Sequence, residues 1–209
     1  MATSPAKENI LKKIRQALSN PVPLPFPNSE GSQSVFTAAT EDNSIVFAEE
    51  FTKLQGKFAF CQDEADLLDQ LQKLFIAKTW TKIYVKESSQ LSLINEMKIE
   101  PWPQLESCDV SITGCEFLVA RTGTIVMSSG QQSGRTTSVY APIHICIART
   151  SQLVYDVKDA LHSIKEKYPG TIPSFITFAS GPSRTADIEK TLVTGVHGPK
   201  EVFCFLIDG

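Results

Sequence analysis

Two segments of this chain concentrate the residue types that can hold and turn over a small ligand. The first is ASGPSRTADIEKTLVTGVHGP, residues 179–199. An apolar strand, SFITFA, runs into Ser180-Gly181-Pro182-Ser183-Arg184-Thr185, and a helix is expected to start near Thr185. A loop between a strand's C-terminal end and a helix N-terminus is where α/β sheets collect ligands, and its free N–H groups favour an anion. Ser183, Arg184 and Thr185 would add donors there, unless they only cap the helix. Asp187 and Glu189 would stabilise the helix start, hold Arg184, or accept hydrogen bonds from substrate hydroxyls. His197, between glycines, is the histidine best placed for chemistry, because imidazole can give and take a proton near neutral pH. His144 lies in an apolar run and His162 beside Lys165 and Glu166, so a core and a solvated position are their default readings, with His144 kept as a ligand-binding candidate.

The second segment, residues 113–137, reads TGCEFLVARTGTIVMSSGQQSGRTT. Arg121-Thr122-Gly123-Thr124 precedes the strand Ile125-Val126-Met127; Ser128-Ser129-Gly130 and Ser133-Gly134-Arg135-Thr136 follow it. Glycines allow close backbone approach, hydroxyls donate, and each guanidinium offers a planar fork to a carboxylate or phosphate. Two tight turns with polar surface residues is the plainer alternative. No P-loop, G-x-G-x-x-G or G-x-S-x-G pattern occurs.

Five cysteines, Cys61, Cys108, Cys115, Cys146 and Cys204, contain no C-x-x-C pair, so neither an iron–sulfur cluster nor structural zinc is expected. Three histidines without H-x-x-x-H spacing give no dedicated metal site, and no cofactor is expected. Cys61, Cys146 and Cys204 sit in apolar runs and should be reduced and buried.

The elements that must position these residues follow from pattern. Residues 4–18 form an amphipathic helix with Ser4 as N-cap, Pro5 at its first position, and Ile10, Leu11, Ile14 and Leu18 on one stripe. PVPLPFP then makes an extended strap, so residues 1–42 read as an N-terminal helix and strap preceding an α/β domain over 43–209. Phe47, Phe51 and Leu54 mark a helix ending at Gly56. KFAFCQ, KIYVKE, DVSIT, TIVMSS, HICIA, SFITFAS and EVFCFLI read as strands, and ADLLDQLQKLF and QLSLINEM as helices. Ser151 is expected to cap a long helix through LVYDVKDALHSIKEKY, and TADIEKTLV to form another. Apolar strands separated by helices require a sheet covered on both faces, becoming mixed over residues 108–149.

The whole chain has 209 residues, 20 Lys+Arg against 23 Asp+Glu, and a net charge of −3. That balance excludes a basic nucleic-acid or membrane-surface protein. No apolar run reaches the length of a membrane span and no signal peptide is legible, so a soluble cytoplasmic protein is expected.

Thr122-Gly123-Thr124 with IVM, Gly134-Arg135, Pro142-x-His144 and above all SGPSRTADIEKTLVTGVHGP resemble the LUD-domain family, in its lactate utilization protein C (YkgG, DUF162) group. The helix ILKKIRQAL also fits. The resemblance implies a Rossmann-like sheet flanked by helices, similar to the NagB/RpiA/CoA-transferase group. It also implies a part in oxidising L-lactate to pyruvate beside iron–sulfur partner subunits, as a component without a cluster that binds a small carboxylate or phosphate. Two alternatives stand beside it: a stand-alone isomerase or transferase acting on a sugar phosphate or acyl-CoA, with Asp187, Glu189 or His197 as its catalytic base, and a non-catalytic scaffold. The chain departs from the resemblance at Arg121, where an acidic residue is expected.

Overall fold

The computed structural model describes residues 5–19, 39, 41–188 and 191–209. The chain divides into two compact units, Met1–Thr37 and Ala38–Gly209. In the first, α1 (Pro5–Leu18) carries Glu8 in its first turn and Arg15 in its last, both complementing the helix dipole. None of its side chains is buried, and Ile10, Leu11, Ile14 and Leu18 are exposed. The expected Ser4 cap and proline strap lie outside the described residues.

The second unit opens with α2 (Asn43–Lys53), whose N-cap Asp42 accepts from the Ser44 N–H. Then come β1 (Lys57–Cys61), α3 (Glu64–Lys78), β2 (Ile83–Val85), α4 (Ser88–Glu96) and β3 (Val110–Thr113). Next follow β4 (Phe117–Val119), β5 (Thr124–Ser128), α5 (Thr137–Tyr140), β6 (Ile143–Arg149) and β7 (Leu153–Val154). The chain ends through α6 (Val157–Lys167), β8 (Ile176–Ala179), β9 (Arg184–Ile188), β10 (Thr191–Thr194) and β11 (Glu201–Ile207).

Five strands pair in the order β1-β11-β6-β3-β2, every neighbour parallel. Alternation along these strands sorts the core into two faces. Ile143, Ile145, Ile147, Phe203 and Phe205 pack with Leu67, Leu71 and Phe75 of α3 and Ile94 of α4. Cys146, Ala148, Cys204 and Leu206 face the other way, onto Phe47 and Phe51 of α2 and onto Leu118, Ile125 and Met127. Those last three belong to a second sheet, ordered β7-β4-β5-β8, in which β5 is antiparallel to both its neighbours. Its outer face buries Val119 and Val126 against Ala160 and Ile164 of α6. The architecture is therefore α/β, with a helix-flanked parallel sheet as expected, and with a small sheet inserted beneath one face.

Three expectations are corrected. The parallel sheet does not become mixed at residues 108–149; that stretch sends β4 and β5 out to build the second sheet. Ser151 caps no long helix: residues 153–154 pair with β4, and α6 starts at Val157 behind Asp156. Asp156 accepts from the Lys158 N–H while Asp159 accepts from the Asp156 N–H, a capping box that fixes the start there. Finally, TADIEKTLV forms no helix but the antiparallel hairpin of β9 and β10. Its run of Thr185, Ile188, Thr191, Val193 and Thr194 is β-branched, which disfavours helix and suits an extended chain.

Candidate functional site

The second sheet separates most of the residues singled out in the sequence. Thr124 begins β5 and Ser128 ends it, so they lie about 13 Å apart at opposite ends of one strand. At the first end, Thr124 Oγ1 bridges Thr122 Oγ1 at 2.8 Å and Ser180 Oγ at 2.7 Å, joining the two sequence segments. Gly123 and Gly181 take positive φ, and a Cβ on either would collide with the backbone at the end of α2, at Phe51 and Leu54 respectively. These glycines thus serve close packing on α2, not close approach to a ligand. Arg184 donates to the Leu54 carbonyl at 3.1 Å, where a cation complements the helix C-terminus. Arg121 Nε pairs with Asp156 Oδ2 at 2.7 Å. Burial works to raise the Asp156 pKa, but this guanidinium and the Lys158 N–H hold it below the usual carboxylate range.

At the other end, Arg135 donates to Ser174 Oγ at 2.6 Å and Ser128 Oγ donates to Glu116 Oε1 at 2.5 Å. The three arginines therefore hold three separate protein groups and form no common fork. Thr185 lies in β9 facing Val193 across the hairpin, and Asp187 belongs to the same strand. With a hairpin in place of a helix, no helix N-terminus stands behind Ser183–Thr185. Glu189 lies outside the described residues. His144 is buried on β6 with Nε2 at 2.8 Å from Thr113 Oγ1, whose own proton goes to the Gly114 carbonyl. Burial pushes its pKa down to about 4, so the ring is neutral at physiological pH.

Two concavities lie at the two edges of the parallel sheet and carry polar side chains. One is a groove of about 500 Å³ at the N-terminal edge of the parallel sheet, where β6 and β11 begin. Exposed His197 and Lys200 stand on it with Tyr140, over Val139, Pro142 and Val196. Its walls are pinned by backbone bonds from Lys200 N to Pro142 O (2.7 Å), Ser183 N to Pro199 O (2.9 Å) and Gly195 N to Ser183 O (2.9 Å). Among the described residues no acidic side chain lines it, so that lining suits an anion.

The other is a crevice of about 370 Å³ at the C-terminal edge, where β2, β3, β6 and β11 end. Open α/β sheets bind ligands at such an edge. Glu87, just past β2, is 7% exposed and accepts the Gly114 N–H at 2.7 Å through Oε2. Gln131 Nε2 reaches its Oε1 at 3.5 Å, and Gln132 Oε1 accepts both the N–H and the hydroxyl of Ser88. The loop after β5 is thereby tied over the crevice. Its base is anchored by Glu116, whose carboxylate accepts from Ser128, Tyr168 (2.8 Å) and Lys167 (2.7 Å). Burial works to raise the Glu116 pKa, but these three donors outweigh it and hold the group below its ordinary value. Arg149, the only basic residue lining it among the described residues, is paired with Glu64. Cys115 is at the floor; the neighbouring Cys146 thiol and burial raise its pKa well above the usual value.

None of Glu64, Glu87, Gln90, Gln131 or Arg149 stood out in the sequence. They come from separate elements and share no motif. Their one signal was position, since each follows or ends an apolar strand or opens the element after it.

The LUD domain family model matches residues 103–207, half of the chain. Lactate utilization protein C of Anoxybacillus flavithermus is 26% identical over 208 residues, covering 92% of this chain and 93% of that protein. The protein of the same name from Halalkalibacterium halodurans is 33% identical over 141 residues, covering 62% of this chain and 60% of its own length. In structure, a DUF162 family protein from Deinococcus radiodurans superposes with a TM-score of 0.58 at 18% identity, over 82% of this chain and 99% of that one. With the expected α/β architecture in place and the family model covering β3 through β11, this chain belongs to the LUD-domain family.

Proposed function

We propose that this chain is a component of an L-lactate utilization system, one that binds a small carboxylate or phosphate and carries no cluster of its own. The likeness over 92% of its length to a protein named lactate utilization protein C carries this reading. Converting lactate to pyruvate releases an electron pair and two protons. In this proposal iron–sulfur partner subunits take up the electrons, because the cysteine spacing here, without a C-x-x-C pair, does not suit a cluster. The groove at the N-terminal edge is the place for the anion. The Lys200 ammonium would hold its charge and the His197 imidazole would hydrogen-bond it, beside the apolar side chains of Val139 and Val196.

Deleting the gene should abolish growth on L-lactate, and the wild-type gene should restore it. Normal growth of the deletion strain would refute the role. Calorimetry with lactate, pyruvate and inorganic phosphate tests the groove. Lys200→Ala should lose about 1.5–3 kcal/mol of binding, the range for a charged hydrogen bond. Unchanged affinity in the folded variant removes the groove from the proposal and leaves the growth result standing.

A further inference from the structure

The crevice at the C-terminal edge has a chemistry different from the groove, and it points to a different ligand. Its lining sets the carboxylates Glu64, Glu87 and Glu96 against Arg149, which is already paired with Glu64. An anion entering it meets uncompensated negative charge. The hydrogen-bonding pattern narrows the choice further. Glu87 Oε1 has a single distant donor, Gln131 at 3.5 Å, and keeps lone pairs for a better one. Gln90 is 7% exposed, and its Oε1 accepts from Ser89 Oγ at 2.6 Å. Its Nε2 has no acceptor among the described residues and is open to the crevice that Gln90 lines. The carboxylate and the amide flank one point: a Cβ on Gly114 would lie 3.0 Å from Glu87 Oε2 and 3.1 Å from Gln90 Nε2, so these two atoms are within about 6 Å of each other.

A ligand matching this pair must donate to a carboxylate and accept from an amide at neighbouring positions. An ammonium has nothing for Gln90, and a carboxylate or phosphate has nothing for Glu87. Adjacent hydroxyls satisfy both, since each donates and accepts. We propose that the crevice binds the vicinal diol of an uncharged pentose, either as the free sugar or within a nucleoside. An acidic side chain beyond a strand end is a recurring partner of ribose hydroxyls in α/β sheets. Leu93, Ile147 and Ile207 supply an apolar wall for the ring or a base, and 370 Å³ is within the range of small-molecule sites. Phosphorylated sugars are excluded by the same charge that tolerates a neutral one.

Calorimetry or ligand-observed NMR on the full chain, with adenosine, ribose, 2′-deoxyadenosine and AMP, tests this directly. Adenosine or ribose should bind. Ribose as tight as adenosine assigns the free sugar, and much tighter adenosine assigns the nucleoside. Removing the 2′-hydroxyl or adding the phosphate should weaken binding at least tenfold, and so should Glu87→Gln or Gln90→Met. Lactate and phosphate affinity should be unchanged in both variants, which separates this site from the groove. No binding of either diol, equal binding of the deoxy compound, or equal binding of AMP overturns the proposal. Because the ligand series is run on the native chain, it decides the matter even where a variant fails to fold.

Discussion

His144 shows how one buried side chain writes a pH dependence into the fold. Its Nε2 meets Thr113 Oγ1 inside the sheet, and burial pushes its pKa down to about 4. An unfolded histidine titrates near 6.5, so between those values the unfolded chain binds the proton and the folded chain does not. Stability therefore falls as pH drops below about 6.5, and this contribution levels off near 4. From pH 6.5 to 5 the loss is on the order of 1–2 kcal/mol for this residue alone. The other described histidines, His162 and His197, are exposed and carry no such burial. Urea unfolding across that window should show the decline in the native chain and its near-absence in His144→Leu. A parallel decline in the variant would assign the dependence to other groups. Glu116 acts lower on the scale: its depressed pKa adds stability above its unfolded value, lost as pH falls through the folded one.

At the scale of elements, the legible parts were those whose signal is local. The strands β6 and β11 are apolar at nearly every position, and α3 carries Leu67, Leu71 and Phe75 on one stripe behind an Asp63 cap. The second sheet was not legible, because β4 has three residues and β7 two, too short for any period to show. The hairpin of β9 and β10 was misread for a different reason. Serine, proline and acidic residues after a strand imitate a helix start, while the β-branched run behind them decides for strand. The crevice was invisible because its walls come from elements far apart in the chain, whereas the hydroxyl bridge of Thr124 to Ser180 joined two segments that had stood out separately. Asp156 tests the junction between β7 and α6. It caps the helix and holds Arg121, so Asp156→Ala should cost about 2 kcal/mol, combining a lost cap with a lost charged hydrogen bond. Asp156→Asn keeps the cap and should recover roughly half of that in the urea midpoint. Equal losses in both would mean that the cap contributes nothing.

At the scale of the whole molecule, the inserted sheet turns one face of the parallel sheet into an interior seam, and three of the thiols line it. Cys115, Cys146 and Cys204 pack in one cluster with Phe47 and Phe51 of α2 and Leu118, Ile125 and Met127 of the second sheet. For Cys146, the Cys115 thiol works downward, but the contact with Cys204 and burial outweigh it and raise the pKa well above normal. Burial also pushes Cys61 and Cys108 up to about 11. A thiol in this state is neither ionised nor reachable, and only the thiolate attacks a disulfide reagent. Reaction must then wait for the layers to part. No thiol of the native chain should react with an aromatic disulfide reagent within minutes at pH 7.5, whereas all five should react at once in denaturant. The slow native rate for Cys146 and Cys204 should match the global opening rate from amide exchange of β6 and β11, because the seam cannot open without separating the two sheets. Labelling of those two in seconds would mean that the second sheet lifts off by itself, and the seam would then be a site of motion instead of the centre of the core.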